Sequence, residues 1–139
     1  MYQQILLAAD GSENALRAAK EAVKIAKGNA QCKVTVIFII DMVKVKTEVL
    51  HASSNESLYM ERRQKLVPIE QLLKEQQVSY KVEMIHGDPG PEIIKYANSQ
   101  NIDLVIIGSR GLNSLQEMVL GSVSHKVMKR VQCPAMIVK

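Results

Sequence analysis

Residues Ile102–Lys126 read IDLVIIGSRGLNSLQEMVLGSVSHK. Apart from Asp103, the run from Ile102 to Ile107 is continuously apolar, as expected of a strand buried on both faces of a parallel sheet. Gly108 stops the run, Gly111 follows three residues later, and Gly121-Ser122 precedes SVSHKVMKRVQ, which reads as a helix. A buried strand, a glycine turn and a helix in that order form one unit of an alternating α/β chain. Two readings of the glycines stand. At a strand end they serve as tight-turn residues. They can also seat an anion: a glycine there can take positive φ, its missing Cβ lets amides approach a ligand, and consecutive amides form a nest. Ser122 is placed to cap the following helix, whose free N–H groups would face a phosphate. Leu112 to Leu120 would arch over the site, packed down by Leu115, Met118 and Val119. Two phosphate-binding elements flanking one loop exceed what a turn needs and favour nucleotide phosphate.

The same alternation extends outward. QILLAAD is a short apolar strand closed by Asp10-Gly11, and SENALRAAKEAVKIAKG follows as a helix with Ser12 as cap and Gly28 as stop. Its stripe of Ala15, Ala18, Ala19, Ala22, Val23 and Ala26 suits close packing on a sheet. KVTVIFIID is a β-branched strand. Met42 to about Ser57 reads as a long connection. One helix is predicted from about Leu58 to Gln77, with Leu66, Ile69, Leu72 and Leu73 inward and Pro68 kinking it. VSYKVEMIHG alternates as a strand with one wetter face, PGPEIIKYANSQ is a short helix with Pro91 near its first turn, and CPAMIVK is a last strand. The order β-α-β-α-β-α-β-α-β predicts right-handed crossovers and a parallel sheet covered on both faces, within one domain over residues 1–139. Ligands of such sheets bind beyond the carboxyl ends of the strands, where strand order switches. Asp10-Gly11-Ser12, Ile39 to Asp41, and Gly108 to Gly111 fall there.

Composition narrows the classes. The chain has 139 residues, 47% hydrophobic and 23% charged, with no Trp and one Phe, so its core is aliphatic. The formal charge of +4 is scattered, as in KEAVKIAK and ERRQK, and aromatics are too few for base stacking, which argues against nucleic acid. No apolar stretch approaches the ~18 residues a membrane span needs, and MYQQILLAADGS carries no basic leader, so the reading is cytoplasmic. Cys32 and Cys133 form no metal pattern and read as buried thiols at strand entrances.

With these motifs in place, the chain resembles the universal stress protein family. The nucleotide-binding branch of that family carries Gly-x2-Gly-x9-Gly-Ser or Thr; here Gly108-Ser109-Arg110-Gly111 is followed by nine residues and Gly121-Ser122. ILLAADGSENA is similar to the family's opening strand and loop, GDP at Gly87–Pro89 to its middle turn, and CPAMIVK to its closing strand. The resemblance implies strand order 3-2-1-4-5, a Rossmann-like sheet of the adenine nucleotide alpha hydrolase-like kind, and ATP or another adenine nucleotide at the carboxyl edge. It implies Ala9 and Asp10 near ribose and adenine, and Ile39 offering backbone to the base. Gly108, Arg110, Gly111, Gly121, Ser122, Val123 and Ser124 would surround ribose and phosphates. It also implies a homodimer through the strand Cys133 to Lys139.

Asp10 has its own reasons to be there: a carboxylate at that strand end can accept from a ribose hydroxyl, hold magnesium or manganese through water, or cap the next helix. Arg110 reads equally as a phosphate partner or a solvated loop residue. His86 reads as a loop histidine, His51 lies in the connection, and His125 has no carboxylate placed to orient it. GSVSH lacks the final glycine of a nucleophile elbow, and no GxxxxGK[ST] is present. No residue is therefore assigned a catalytic role. The expected function is a small ATP-binding stress-response protein acting as a sensor or regulator. The alternatives are a slow metal-dependent ATPase or phosphotransferase, and an interaction protein that binds no nucleotide.

Overall fold

A computed structural model describes residues 1–41, 55–109 and 121–139. Its elements are β1 (Gln4–Ala9), α1 (Glu13–Ala26), β2 (Lys33–Asp41), α2 (Asn55–Gln64), α3 (Val67–Glu75), β3 (Ser79–Gly87), α4 (Pro89–Ser99), β4 (Leu104–Gly108), α5 (Ser122–Arg130) and β5 (Ala135–Val138). The five strands form one sheet in the order β3-β2-β1-β4-β5, with every neighbouring pair parallel. The predicted fold class and strand order therefore hold. The order turns back between β1 and β4, and this is the switch point.

Alternation along each strand feeds two cores. Ile5, Leu7, Val34, Val36 and Ile106 pack beneath α1 and α3, whereas Leu6, Ala8, Ile37, Val105 and Ile107 pack with Ile93, Ala97 and Val127 of α4 and α5. The alanine stripe of α1 is fully inside, with Ala18, Ala19 and Ala22 at 0% exposure. Small side chains there let the helix backbone approach the sheet closely.

The single helix expected from Leu58 to Gln77 is two helices, α2 and α3, broken at Lys65-Leu66. Pro68 sits in the first turn of α3, where a missing N–H has no intrahelical acceptor to lose, so it starts a helix rather than kinking one. Leu66, Ile69 and Leu73 are buried as expected, while Leu72 is partly buried. The expected connection from Met42 gives way to α2 at Asn55, and residues 42–54 lie outside the described residues. Cys32 is buried, but Cys133 is half-buried, so the paired expectation holds for Cys32 alone. Among the described residues, no helix is long and apolar enough to cross a membrane.

Candidate functional site

The carboxyl ends of β1, β2 and β4 open into a cavity of about 550 Å³. Parallel strands send their connections away from this edge, so the first turns of α1, α4 and α5 gather around it. Ala9 and Asp10 come from β1, Ile39 from β2, Gly108 from β4, and Gly121, Ser122, Val123 and Ser124 from the start of α5. Residues far apart in sequence thus line one space. Arg110 and Gly111, and the arch of Leu112 to Leu120, lie outside the described residues.

Asp10 closes its own turn. Its Oδ1 accepts the Ser12 N–H at 3.0 Å, and Ser12 Oγ accepts the Ala15 N–H at 3.2 Å. Ser12 is the N-cap of α1, as expected, so Asp10 is not the helix cap. Gly11 between them has φ +82°, a conformation that suits glycine.

Gly108 differs from expectation in its physical reason. It is not among the positive-φ residues; a Cβ there would lie 2.5 Å from the Asn14 carbonyl oxygen. The glycine admits the first turn of α1 against β4. Ser124, buried, donates its hydroxyl to the Gly108 carbonyl at 3.0 Å, which ties the start of α5 to the end of β4. Ser109 N–H donates to the Val138 carbonyl at 2.8 Å and holds the same strand end to β5.

The start of α5 also departs from expectation. Gly121, not Ser122, is the N-cap, with φ −61° and ψ 153°, and no side chain caps the helix. A Ser at the first helical position has already entered the helix, where its hydroxyl is no longer placed to accept from the third amide. His125 N–H donates to the Gly121 carbonyl at 2.9 Å and is the first bond of the helix. Among the described residues, the N–H groups of Ser122, Val123 and Ser124 therefore have no helical carbonyl before them, and these residues line the cavity at the positive end of the helix dipole.

The lining includes Asp41 and Ser109, which fall within stretches the sequence reading placed at this edge, and residues it passed over: Asn14, Phe38, Pro89, Ile93, Arg62 near the end of α2 and Lys65 just beyond it. Asp41 and Pro89 had a signal, since one ends a strand and the other starts a helix at this edge. Arg62 and Lys65 belong to ERRQK, and nothing in that run announces which face of the sheet it reaches. His86 and His125 are exposed and do not line the cavity. Among the described residues, no three His, Cys, Asp or Glu side chains group as a metal site. The lining combines apolar side chains, the first turn of α5, the carboxylates Asp10 and Asp41 and the cations Arg62 and Lys65. This suits an amphipathic anion such as a nucleotide.

Comparison with known proteins agrees with this geometry. A family model described as the universal stress protein family matches residues 1–139. Universal stress protein MJ0531 of Methanocaldococcus jannaschii is 32% identical, over 100% of this chain and 83% of its own length. The structure of protein MJ0577 from the same organism superposes with a TM-score of 0.84 at 31% identity, over 100% of this chain and 96% of that one. A universal stress protein from Arabidopsis thaliana with AMP bound shares the fold with a TM-score of 0.71 at 19% identity, over 99% of this chain and 91% of that one.

Proposed function

Because the chain belongs to the universal stress protein family, we propose that its carboxyl-edge pocket binds an adenine nucleotide, with ATP as the ligand, and that the protein is a nucleotide-dependent sensor or regulator. One observation carries the reading: α5 opens without a side-chain cap, and the residues of its first turn line a cavity at the switch point. On this reading the chain is one nucleotide-binding domain over residues 1–139 of a cytoplasmic protein. Ala9, Asp10 and Ile39 serve the adenosine, and Gly108, Gly121, Ser122, Val123 and Ser124 serve ribose and phosphates, together with Arg110 and Gly111. Magnesium or manganese arriving with the nucleotide would be held by phosphate oxygens and water, with Asp10 as the nearest protein carboxylate.

The pocket favours binding over turnover. Amides and hydroxyls hold phosphate in ground and transition state alike, and such uniform binding does not accelerate chemistry. Hydrolysis also needs a group to orient or deprotonate water, and among the described residues the lining holds no histidine for it. Mass spectrometry of nucleotide released by denaturing the purified protein tests the reading. Recovery of intact ATP supports the sensor; recovery of ADP alone supports an ATPase; the absence of any nucleotide, with none bound on addition, supports the interaction protein.

A homodimer through β5 belongs to the same proposal. β5 is an edge strand, and an uncovered apolar edge pairs readily with a copy of itself about a two-fold axis. Met136→Lys with Val138→Lys is expected to give monomers in analytical ultracentrifugation, where the wild type sediments as a dimer at tens of micromolar.

A further inference from the structure

The turn that follows α2 meets the loop after β1 at the pocket. A Cβ on Gly11 would lie 2.9 Å from Lys65 Cβ and 3.1 Å from its Cδ, so the bare glycine is what admits the Lys65 stem. Gly11 sits between Asp10 and Ser12, both in the pocket lining. The stem is thereby held beside the nucleotide edge, and the exposed ammonium is carried on it. Arg62, in the last turn of α2, lines the same cavity. The start of α5, with its three open amides, lines it as well.

We propose that Lys65 and Arg62 are specificity residues that make the pocket select nucleotides by phosphate number, favouring a triphosphate over a monophosphate. This rests on the nucleotide reading above. The amides of one helix turn suffice for a single phosphate, whereas the additional charge of a triphosphate needs partners beyond that turn. Two cations outside that turn, in one cavity with those amides, supply them. Carboxylates of Asp10 and Asp41 in the same lining work against surplus negative charge, so these two cations decide the balance.

Calorimetry of ATP and AMP binding to the full chain tests this, with Lys65→Met as the main variant. Methionine keeps a stem of similar length against Gly11 and removes the charge, and Lys65→Arg restores it. The wild type is expected to bind ATP about tenfold or more tighter than AMP, and added salt should narrow the ratio. Lys65→Met should weaken ATP about fivefold, and Lys65→Met with Arg62→Gln about thirtyfold, with AMP changed less than about twofold. Lys65→Arg should recover the wild-type ratio. Inorganic tripolyphosphate should displace ATP from the wild type and do so poorly in the double variant. Equal loss of ATP and AMP in Lys65→Met would show the stem holding the pocket in shape rather than selecting, and overturns the proposal. An unchanged ratio in the double variant overturns it too. Wild-type protein that binds AMP and ATP equally overturns the selectivity alone, while one that binds neither overturns the nucleotide reading beneath it as well.

Discussion

At the amino edge of the sheet, side chains answer the backbone. Asp103 accepts the N–H groups of Gln3 and Gln4 at 2.7 and 2.8 Å. Asn98 accepts from Gln132 N–H at 2.9 Å and donates to the Arg130 carbonyl at 3.3 Å, and Asn29 accepts from Gln31 N–H at 3.1 Å. At the carboxyl edge, Asp10 and Ser12 do the same for the start of α1, but α4 and α5 begin without a side-chain cap. Helix starts left open around a cavity have amides to give a ligand; helix ends closed by side chains do not. The two edges are built from the same strand–helix alternation, and what differs is where hydrogen-bonding capacity is left over. On the proposed reading, one edge serves stability and the other binding.

A substitution at the carboxyl edge that obstructs packing rather than ligand breaks this division first. Gly108→Val should cost about 3 kcal/mol in equilibrium urea unfolding, because its Cβ would meet the backbone of Asn14 and neither the strand nor the helix can yield cheaply. A cost near zero would mean that α1 is not seated against β4 as described. At the amino edge, Asp103→Ala should cost about 2 kcal/mol by leaving two N–H groups without their carboxylate. Its nucleotide affinity should stay within about twofold of wild type, since the edges are distant and share no partners. Loss of affinity there would merge two regions that the account keeps apart.

The smallest effect concerns alkali. Burial pushes the Cys32 thiol above its ordinary value of 9.0, and the Asp103 carboxylate raises it further. The protonated thiol is the form that the core accepts, and the unfolded chain gives up its proton first. The stabilisation is therefore complete below pH 9.0 and is lost as pH rises toward the folded value. Unfolding free energies measured from pH 8 upward should fall above that point, and less steeply in Cys32→Ala.

The strands were legible because double-sided burial leaves a continuous apolar run, visible in QILLAAD, KVTVIFIID and IDLVIIG. Strand order came from the family resemblance, since runs alone do not say which strands are neighbours. Most of the pocket was legible for a related reason: in an alternating chain the residues just after each strand share one edge, which brought Asp10, Gly108 and Gly121 together in advance. What was not legible depended on distances across the fold. That Gly108 also admits the first turn of α1 depends on the approach of Asn14, which the sequence alone does not show. Pro68 read as a kink because periodicity runs through a break when Leu66, Ile69 and Leu73 keep the same face. Arg62 and Lys65 read as surface charge because only the fold brings Lys65 against Gly11 and both side chains into the pocket lining.

The central claim is that the open amides at the start of α5 hold phosphate, and Gly121→Val tests it most directly. Gly121 is buried in the pocket wall with φ −61° and ψ 153°, which valine adopts without strain, so the fold should survive. The added side chain would crowd the space in front of those amides. Calorimetry on the variant should give ATP affinity reduced by roughly a hundredfold, adenosine affinity reduced less than about threefold, and a thermal midpoint close to wild type. Unchanged ATP affinity in a folded Gly121→Val protein would contradict the account.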